Sequence, residues 1–351
     1  MRHFWGSILV TVIGLAIAFY FGGRGESFSF TLAFNALFIC CILSVMEVSL
    51  SFDNAVVNAK VLKDMNAFWR KMFLTVGMII AVFGMRLLLP IAIVAIASGT
   101  GYWETTQLAL NEPAIYAQKL HDCHISIAAF GGIFLLLVFL NFIFDHERDI
   151  HWIGFLERRL GKVGKIDTAA TIVALITLLL LTWALPEKGQ QISALIAGII
   201  GIILYLLLDG VKALTSDSGA AGAGKAVAGA GKAGFAAFCY LEVLDASFSL
   251  DGVVGAFALS KNVLIIMIGL AIGAMFVRSM TIYLVEKGTL DEFCFLEHGA
   301  HWAIGALAAM MLIGAHPSCH IPEWITGLTG AVLIALSLGS SIRERRKSQP
   351  E

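Results

Sequence analysis

Ten apolar runs, at roughly 6–22, 31–61, 72–97, 123–144, 168–185, 191–209, 234–260, 263–286, 299–316 and 323–341, decide which solvent this chain can fold in. A hydrocarbon core of ~30 Å takes about 20 apolar residues per helix, and most of these runs reach that length. Inside a bilayer every backbone N–H and C=O must be satisfied internally, which leaves helices or closed barrels. The runs lack the alternation of a membrane barrel, so the expectation is an all-α polytopic membrane protein with about ten transmembrane helices. A hydrophobic content of 58%, a charged content of 14% and a mean hydropathy of +0.85 exclude an ordinary soluble domain.

Charge then orients the spans. Of the 24 Lys and Arg residues, 18 fall on one side of a ten-span topology and 4 on the other, with Arg86 and Arg278 left within spans. The positive-inside rule predicts both termini in the cytoplasm, and the inner (cytoplasmic) membrane is the expected location. The run after Arg2 ends in AFYFGGRGE, with no small-x-small cleavage site, and reads as a retained helix.

The stretch EVSLSFDNAVVNAKVL, Glu47 to Leu62, returns as DASFSLDGVVGAFALS, Asp245 to Ser260. In register, Glu47 pairs with Asp245, Ser49 with Ser247, Ser51 with Ser249 and Asp53 with Asp251. One copy lies in the second span and the other in the seventh, so each half has five helices. An odd number inverts the second half, giving two inverted five-helix repeats with a site near the midplane between them. Arg86 and Arg278, each one span after its motif, fit the same plan, as do His121-x-x-His124 and His298-x-x-His301. The organisation read from this is a first half over 1–185, the start of the second over 186–209, a Gly/Ala-rich cytoplasmic linker over 210–233, the rest of the second half over 234–341 and a basic tail over 342–351. The linker reads as flexible, or as a loose helix leading into the seventh span. Its Gly-x-Gly-Lys at Gly222 to Lys225 lacks the spacing and the preceding strand of a phosphate-binding loop, so no nucleotide is expected. The segment 149–166 alternates apolar and basic residues and is expected to lie on the membrane surface.

On a regular helix Glu47, Ser51, Asn54 and Asn58 form one polar stripe, and Ser49 and Asp53 a second. The second copy puts Glu242, Asp245 and Ser249 on one stripe and Ser247 and Asp251 on the other. Buried carboxylates cost free energy, so acids repeated in two spans point to function. Carboxylate, hydroxyl and amide oxygens without Cys or His suit Mg, Ca or Mn, not copper or zinc. The metal-ligand candidates are Glu47, Asp53, Asn54, Glu242, Asp245 and Asp251, with Ser49, Ser51, Ser247 and Ser249 as polar support. Arg86 and Arg278 are expected to face the acids as intramembrane counter-ions, or as groups that occupy the carboxylates between ions.

At these residues the chain resembles the TerC family of the LysE transporter superfamily. The family's Glu-x-x-Leu-Ser-x-Asp-Asn is similar to Glu47, Leu50, Ser51, Asp53 and Asn54. Its second pattern resembles Glu242, Asp245, Phe248 and Asp251, and IGAHPSCHIPEW resembles the family's end region. The resemblance spans Ala33 to Ser341 as a divergent branch. It implies export of a divalent cation, Mn2+ first and Ca2+ second, and a link to tellurite or alkaline stress. One departure is that Gly252-Val253-Val254-Gly255 stands where the family has Ser-Ile-Pro-Ala. A proline there would break the helix, whereas glycines only permit a break.

A second constellation gathers His121, Cys123 and His124 with His316, Cys319 and His320 on the outer side. Three readings stay open for it: a weak external metal site of zinc-type ligands, a Cys123–Cys319 disulfide, or histidines capping helix ends. The external stretch 98–122 reads as a mildly acidic solvated loop.

The functional expectation is a secondary transporter that moves Mn2+ or Ca2+ outward by alternating access. Exchange for H+ belongs to it, because the same carboxylates can carry protons back once empty. Its partners are the divalent ion and the lipid bilayer, with no nucleic acid, no nucleotide and no permanently bound cofactor, and with room for an oligomer. The alternative is a non-transporting membrane partner in metal or tellurite stress resistance or in membrane-protein assembly. An intramembrane enzyme is not expected, since His-Glu-x-x-His is absent and neither motif's serines have a His base in their span.

Overall fold

The computed structural model describes residues 2–24, 28–146, 148–166, 168–216, 223–260, 262–288, 292–319 and 321–348; among side chains, those of Arg2, 211–232, Asp251, Ala258, Glu323, Trp324 and Ser348 also lie outside the description. Lys261, His320 and the 217–222 part of the linker therefore fall outside it.

In chain order the helices are α1 (Trp5–Gly22), α2 (Phe30–Leu50), α3 (Phe52–Asp64), α4 (Ala67–Met72), α5 (Leu89–Ser98), α6 (Tyr102–Asn111), α7 (Pro113–Asp122) and α8 (His124–Phe144). They continue with α9 (Gly154–Gly161), α10 (Ala169–Ala184), α11 (Lys188–Ser216), α12 (Ala223–Leu259), α13 (Val263–Lys287), α14 (Leu296–Gly314) and α15 (Glu323–Ser348). Two π-helical segments, Phe73–Gly77 and Ile80–Leu88, join α4 to α5. Among the described residues nine helices are long and apolar enough to cross a membrane, or ten if α9 and α10, bent by 101°, count as one span. The chain is an all-α polytopic membrane protein.

The helix ends sort onto two faces. On one face Lys60 lies 3.1 Å from Glu297, Arg148 lies 3.4 Å from Glu297, His3 lies 3.6 Å from Glu286 and Arg345 lies 3.5 Å from Glu292. Trp152 donates to Ser340 Oγ at 3.1 Å on the same face. On the other face a cavity of about 1160 Å3 is lined from the ends of α5, α7, α12 and α14 and the beginnings of α8 and α11. The 16-residue α10 therefore carries the chain from one face to the other, and both described ends of the chain lie on the first face.

Two sequence expectations change. The run at 31–61 is not one helix, because Ser51, at φ −109° and ψ 13°, separates α2 from α3. The second copy, where glycines permit a break, stays helical throughout α12. The stretch 98–122 is not a loop but the two short helices α6 and α7, which bury Thr105, Ala109, Tyr116 and Leu120. A side chain can be solvated on one face of a helix and packed on the other, which average polarity does not reveal.

Packing explains why these apolar helices hold a fixed arrangement without water to drive them together. Lipid tails are as apolar as the side chains, so close backbone approach and interhelical hydrogen bonds decide the contacts. On α13, Gly269 and Gly273 face α2: a Cβ at Gly273 would lie 2.5 Å from Glu47 Cβ and 2.8 Å from the Ser44 carbonyl oxygen. Ser44 Oγ donates to the Gly269 carbonyl at 3.0 Å. Likewise Ser7 of α1 donates to the Met275 carbonyl at 2.6 Å. The most buried span is α8, which packs against α10, α11, α12 and α14.

Candidate functional site

The charged groups gather around the break at Ser51 between α2 and α3. Ser51 Oγ donates to Glu47 Oε1 at 3.0 Å, so the i, i+4 link of the expected stripe survives across the break. Arg86 Nη2 donates to the same Glu47 oxygen in a short ion pair, and Arg86 Nη1 lies 3.5 Å from Asp245 Oδ2. Asp245 Oδ1 accepts from Asn54 Nδ2 at 2.9 Å. One guanidinium thus clamps a carboxylate from each copy of the motif, with Glu47, Asn54, Arg86 and Asp245 all buried.

Local sequence places the arginine. Pro90 has no N–H to give back to the Arg86 carbonyl, and the ladder before it runs in π register, with Leu89 N bonded to Gly84 O. Wide turns of this kind recur at functional sites. Arg86 Nη1 also donates to the Ala81 carbonyl at 2.6 Å, which fixes the head of the side chain.

The two copies of the motif touch each other. Glu47 and Asp245 occupy one repeat position, and Asn54 and Gly252 another. Asn54 bonds to Asp245, while Glu47 Oε2 faces Gly252, 3.6 Å from where a Cβ would stand.

Beside the clamp lies a cavity of about 30 Å3, lined by Asn58, Gly77, Arg86, Glu242, Asp245 and Arg278 among others, with room for roughly two waters. Both carboxylate oxygens of Glu242 and the amide oxygen of Asn58 meet no hydrogen-bond donor there among the described residues. Gly77 lets the Glu242 carboxylate lie close against this wall, since a Cβ on it would stand 2.5 Å from Glu242 Oε1. Arg278 lines the same cavity but donates to the Leu74 carbonyl at 2.9 Å, bracing the π segment from α13.

The remaining candidates spread outward. Asp53 is buried in the first turn of α3, accepts from Asn54 N at 2.9 Å and faces Gly330 on α15. Ser49 faces Gly327 of the same helix. Ser247 donates to the Val243 carbonyl at 3.0 Å, and buried Ser249 has no partner among the described residues. Asp251 lies on α12, but its side chain is outside the described residues.

On the opposite face His121, Cys123, His124, His316 and Cys319 all line the 1160 Å3 vestibule, which reaches inward to Val254 and Gly255. The rings of His121 and His124 stack with centroids 6.2 Å apart. Cys123 and Cys319 are free thiols, so the disulfide reading is not realised. Burial and then the neighbouring Asp122 push the Cys123 thiol above its ordinary value, which disfavours the thiolate a metal would need. Among the described residues no three His, Cys, Asp or Glu side chains converge closely enough to hold a metal ion, here or at the clamp.

A second charged cluster joins residues far apart in the sequence. Glu157 of α9, 4% exposed, accepts from Trp152 N and Trp302 Nε1 at 2.9 Å each and lies 3.1 Å from His298 Nδ1. Burial opposes its ionisation, but the His298 ring beside it, the hydrogen bond from Trp302 and a backbone N–H outweigh burial and bring the carboxyl down to about 2. Its partner lies 141 residues on, so no local pattern marks the pair. The one local signal is an acid inside the otherwise basic FLERRLGK.

Fold and site together define a multi-pass α-helical membrane protein with an arginine–carboxylate cluster buried at a broken helix. The chain belongs to the DUF475 family, described as protein of unknown function, with which residues 52–348 align. No curated protein and no solved structure matches the chain.

Proposed function

We propose that this protein is a secondary transporter that exports a divalent cation, Mn2+ before Ca2+, across the cytoplasmic membrane, with the basic face in the cytoplasm. The observation that carries the reading is the Arg86 clamp, in which one buried cation holds Glu47 and Asp245 of the two motif copies. Arginine here occupies the carboxylates as the ion would, so ion and Arg86 compete for the same oxygens. Entry of the ion displaces the guanidinium and draws Glu47, Asp245 and Asn54 onto the metal, with Asp53, Glu242 and Asp251 close in sequence to complete the set. All are hard oxygen donors, which is the ligand chemistry of Mn2+ and Ca2+. The resemblance of both motifs to the TerC family supports this choice of ion.

An inverted repeat is supported by the exchange of partners, Asn54 to Asp245 and Glu47 toward Gly252, which is how residues meet across a two-fold axis. Helices follow the same rule near the centre: α8 packs on α12 as α14 packs on α3. The periphery departs from it, since α1 packs on α13 while its counterpart α11 packs on α8. Alternating access then moves the two central motif helices against each other. The break at Ser51 supplies a flexible joint, and the vestibule reaching Gly255 supplies the outer route.

Purified protein in sealed vesicles, loaded with a metal-sensitive dye, tests this reading. Mn2+ flux that is lost in Glu47→Gln and Asp245→Asn, with folding retained, supports it. Wild-type vesicles that pass neither Mn2+ nor Ca2+ overturn it and leave the clamp a structural ion pair in a non-transporting partner.

A further inference from the structure

The α9 segment carries a surface that the buried clamp does not use. It meets α10 through a 101° bend. Along α10, Ile172, Ile176, Leu179, Leu180 and Trp183 point outward, so this helix runs through hydrocarbon and α9 lies along the interface at its end. Exposed Phe155 and Leu156 sit there beside exposed Arg158, Arg159 and Lys162, and Val163, Lys165 and Ile166 continue the pattern. The Arg159 guanidinium lies 3.9 Å from the centroid of the Phe155 ring. Arg158, Arg159, Lys162 and Lys165 make no ion pair among the described residues. The underside of the same helix is rigidly held, because Glu157 binds Trp302 and His298 of α14 and Trp152 binds Ser340 of α15.

We infer that α9 is a docking strip for anionic phospholipid headgroups, and that Glu157 transmits their binding to the end of α14. Basic side chains reach the headgroup phosphates while Phe155 and Leu156 enter the acyl boundary, the division of labour of an interfacial amphipathic helix. A soluble acidic partner would meet the charges but not the apolar side chains, which lie at the level where lipid-facing α10 begins. The inference stands apart from transport, because it concerns residues remote from the clamp.

The test places the full chain in vesicles of phosphatidylcholine, alone or mixed with phosphatidylglycerol. It reads the anionic lipid retained on purification and the thermal unfolding midpoint. Phosphatidylglycerol is expected to be retained by the wild type and to raise the midpoint. Changing Arg158, Arg159, Lys162 and Lys165 together to Gln lowers retention about fivefold or more, since each basic residue near an anionic surface contributes on the order of a fivefold partition. The same change in the tail, at Arg343, Arg345, Arg346 and Lys347, leaves retention at α9 unchanged. Glu157→Gln keeps the lipid but loses the rise in midpoint. Equal retention by the α9 variant, or the same rise given by inorganic phosphate in pure phosphatidylcholine, overturns the inference. Should the quadruple variant fail to fold, salt dependence of the wild type decides: retention must fall steeply with added NaCl, and retention indifferent to salt overturns the inference.

Discussion

At Arg86 a guanidinium 3% exposed holds two carboxylates from helices far apart in the chain. Removing one member of such a buried group leaves uncompensated charge, so Arg86→Gln should cost about 3–5 kcal/mol of stability. Adding Glu47→Gln and Asp245→Asn to it should recover most of that loss, measured as the thermal midpoint in detergent. A triple variant no better than the single one would show that the cost is not electrostatic. Gly273 makes a steric demand at the same place, since any side chain there meets Glu47 and the Ser44 carbonyl. Gly273→Ala should destabilise by about 1–3 kcal/mol as α2 and α13 are forced apart. Gly6, with nothing within 4 Å of its missing Cβ, is the control. There the same change should be neutral or stabilising by up to ~1 kcal/mol, the ordinary helix preference for alanine. Unfolding midpoints of the two variants check both signs.

Among the elements, α9 depends on the ionised state of one residue. The Glu157 carboxyl is lowered from 4.5 to about 2 in the folded protein. The unfolded chain therefore binds its proton first as pH falls. The stability contributed by this carboxylate is fully present above about 4.5 and is lost as pH falls toward 2. Midpoints of the wild type should drop through that interval more steeply than those of Glu157→Gln, and parallel curves would contradict the assignment. The break between α2 and α3 is the other element with a local cause worth probing. Ser51→Ala removes a hydrogen bond to a buried carboxylate, worth about 1.5–3 kcal/mol, and lets the two helices fuse. Loss of stability together with a gain of helical signal by circular dichroism is the expected result.

Across the whole molecule, the two faces make a prediction about sides. Cys319 is exposed in the vestibule, and Cys294 lies on the face that carries Lys60, Arg148 and Glu297. In sealed right-side-out vesicles a membrane-impermeant maleimide should label a variant retaining only Cys319. A variant retaining only Cys294 should label only after permeabilisation. The reverse pattern would invert the proposed orientation. Length and hydropathy of the apolar runs were enough to read the membrane class and nearly every span, because hydrocarbon admits only helices of that size. Both motif copies were equally legible, since charge inside an apolar run has no cheap structural explanation. Other features depended on contacts between residues far apart in sequence. The break fell at Ser51 of the first copy although glycines stood only in the second. Beside Ser51 the Asp53 carboxylate accepts from the backbone N–H of Asn54, and Glu47, Arg86 and Asp245 pair around the same break. The same holds for Glu157, whose lowered carboxyl exists because Trp302 and His298 come from another helix. Sequence alone determined that this chain spans a membrane many times and carries paired acids within it. Only the tertiary structure decided which acids share Arg86 and where the helix yields, because buried charges are stabilised by partners whose positions packing sets.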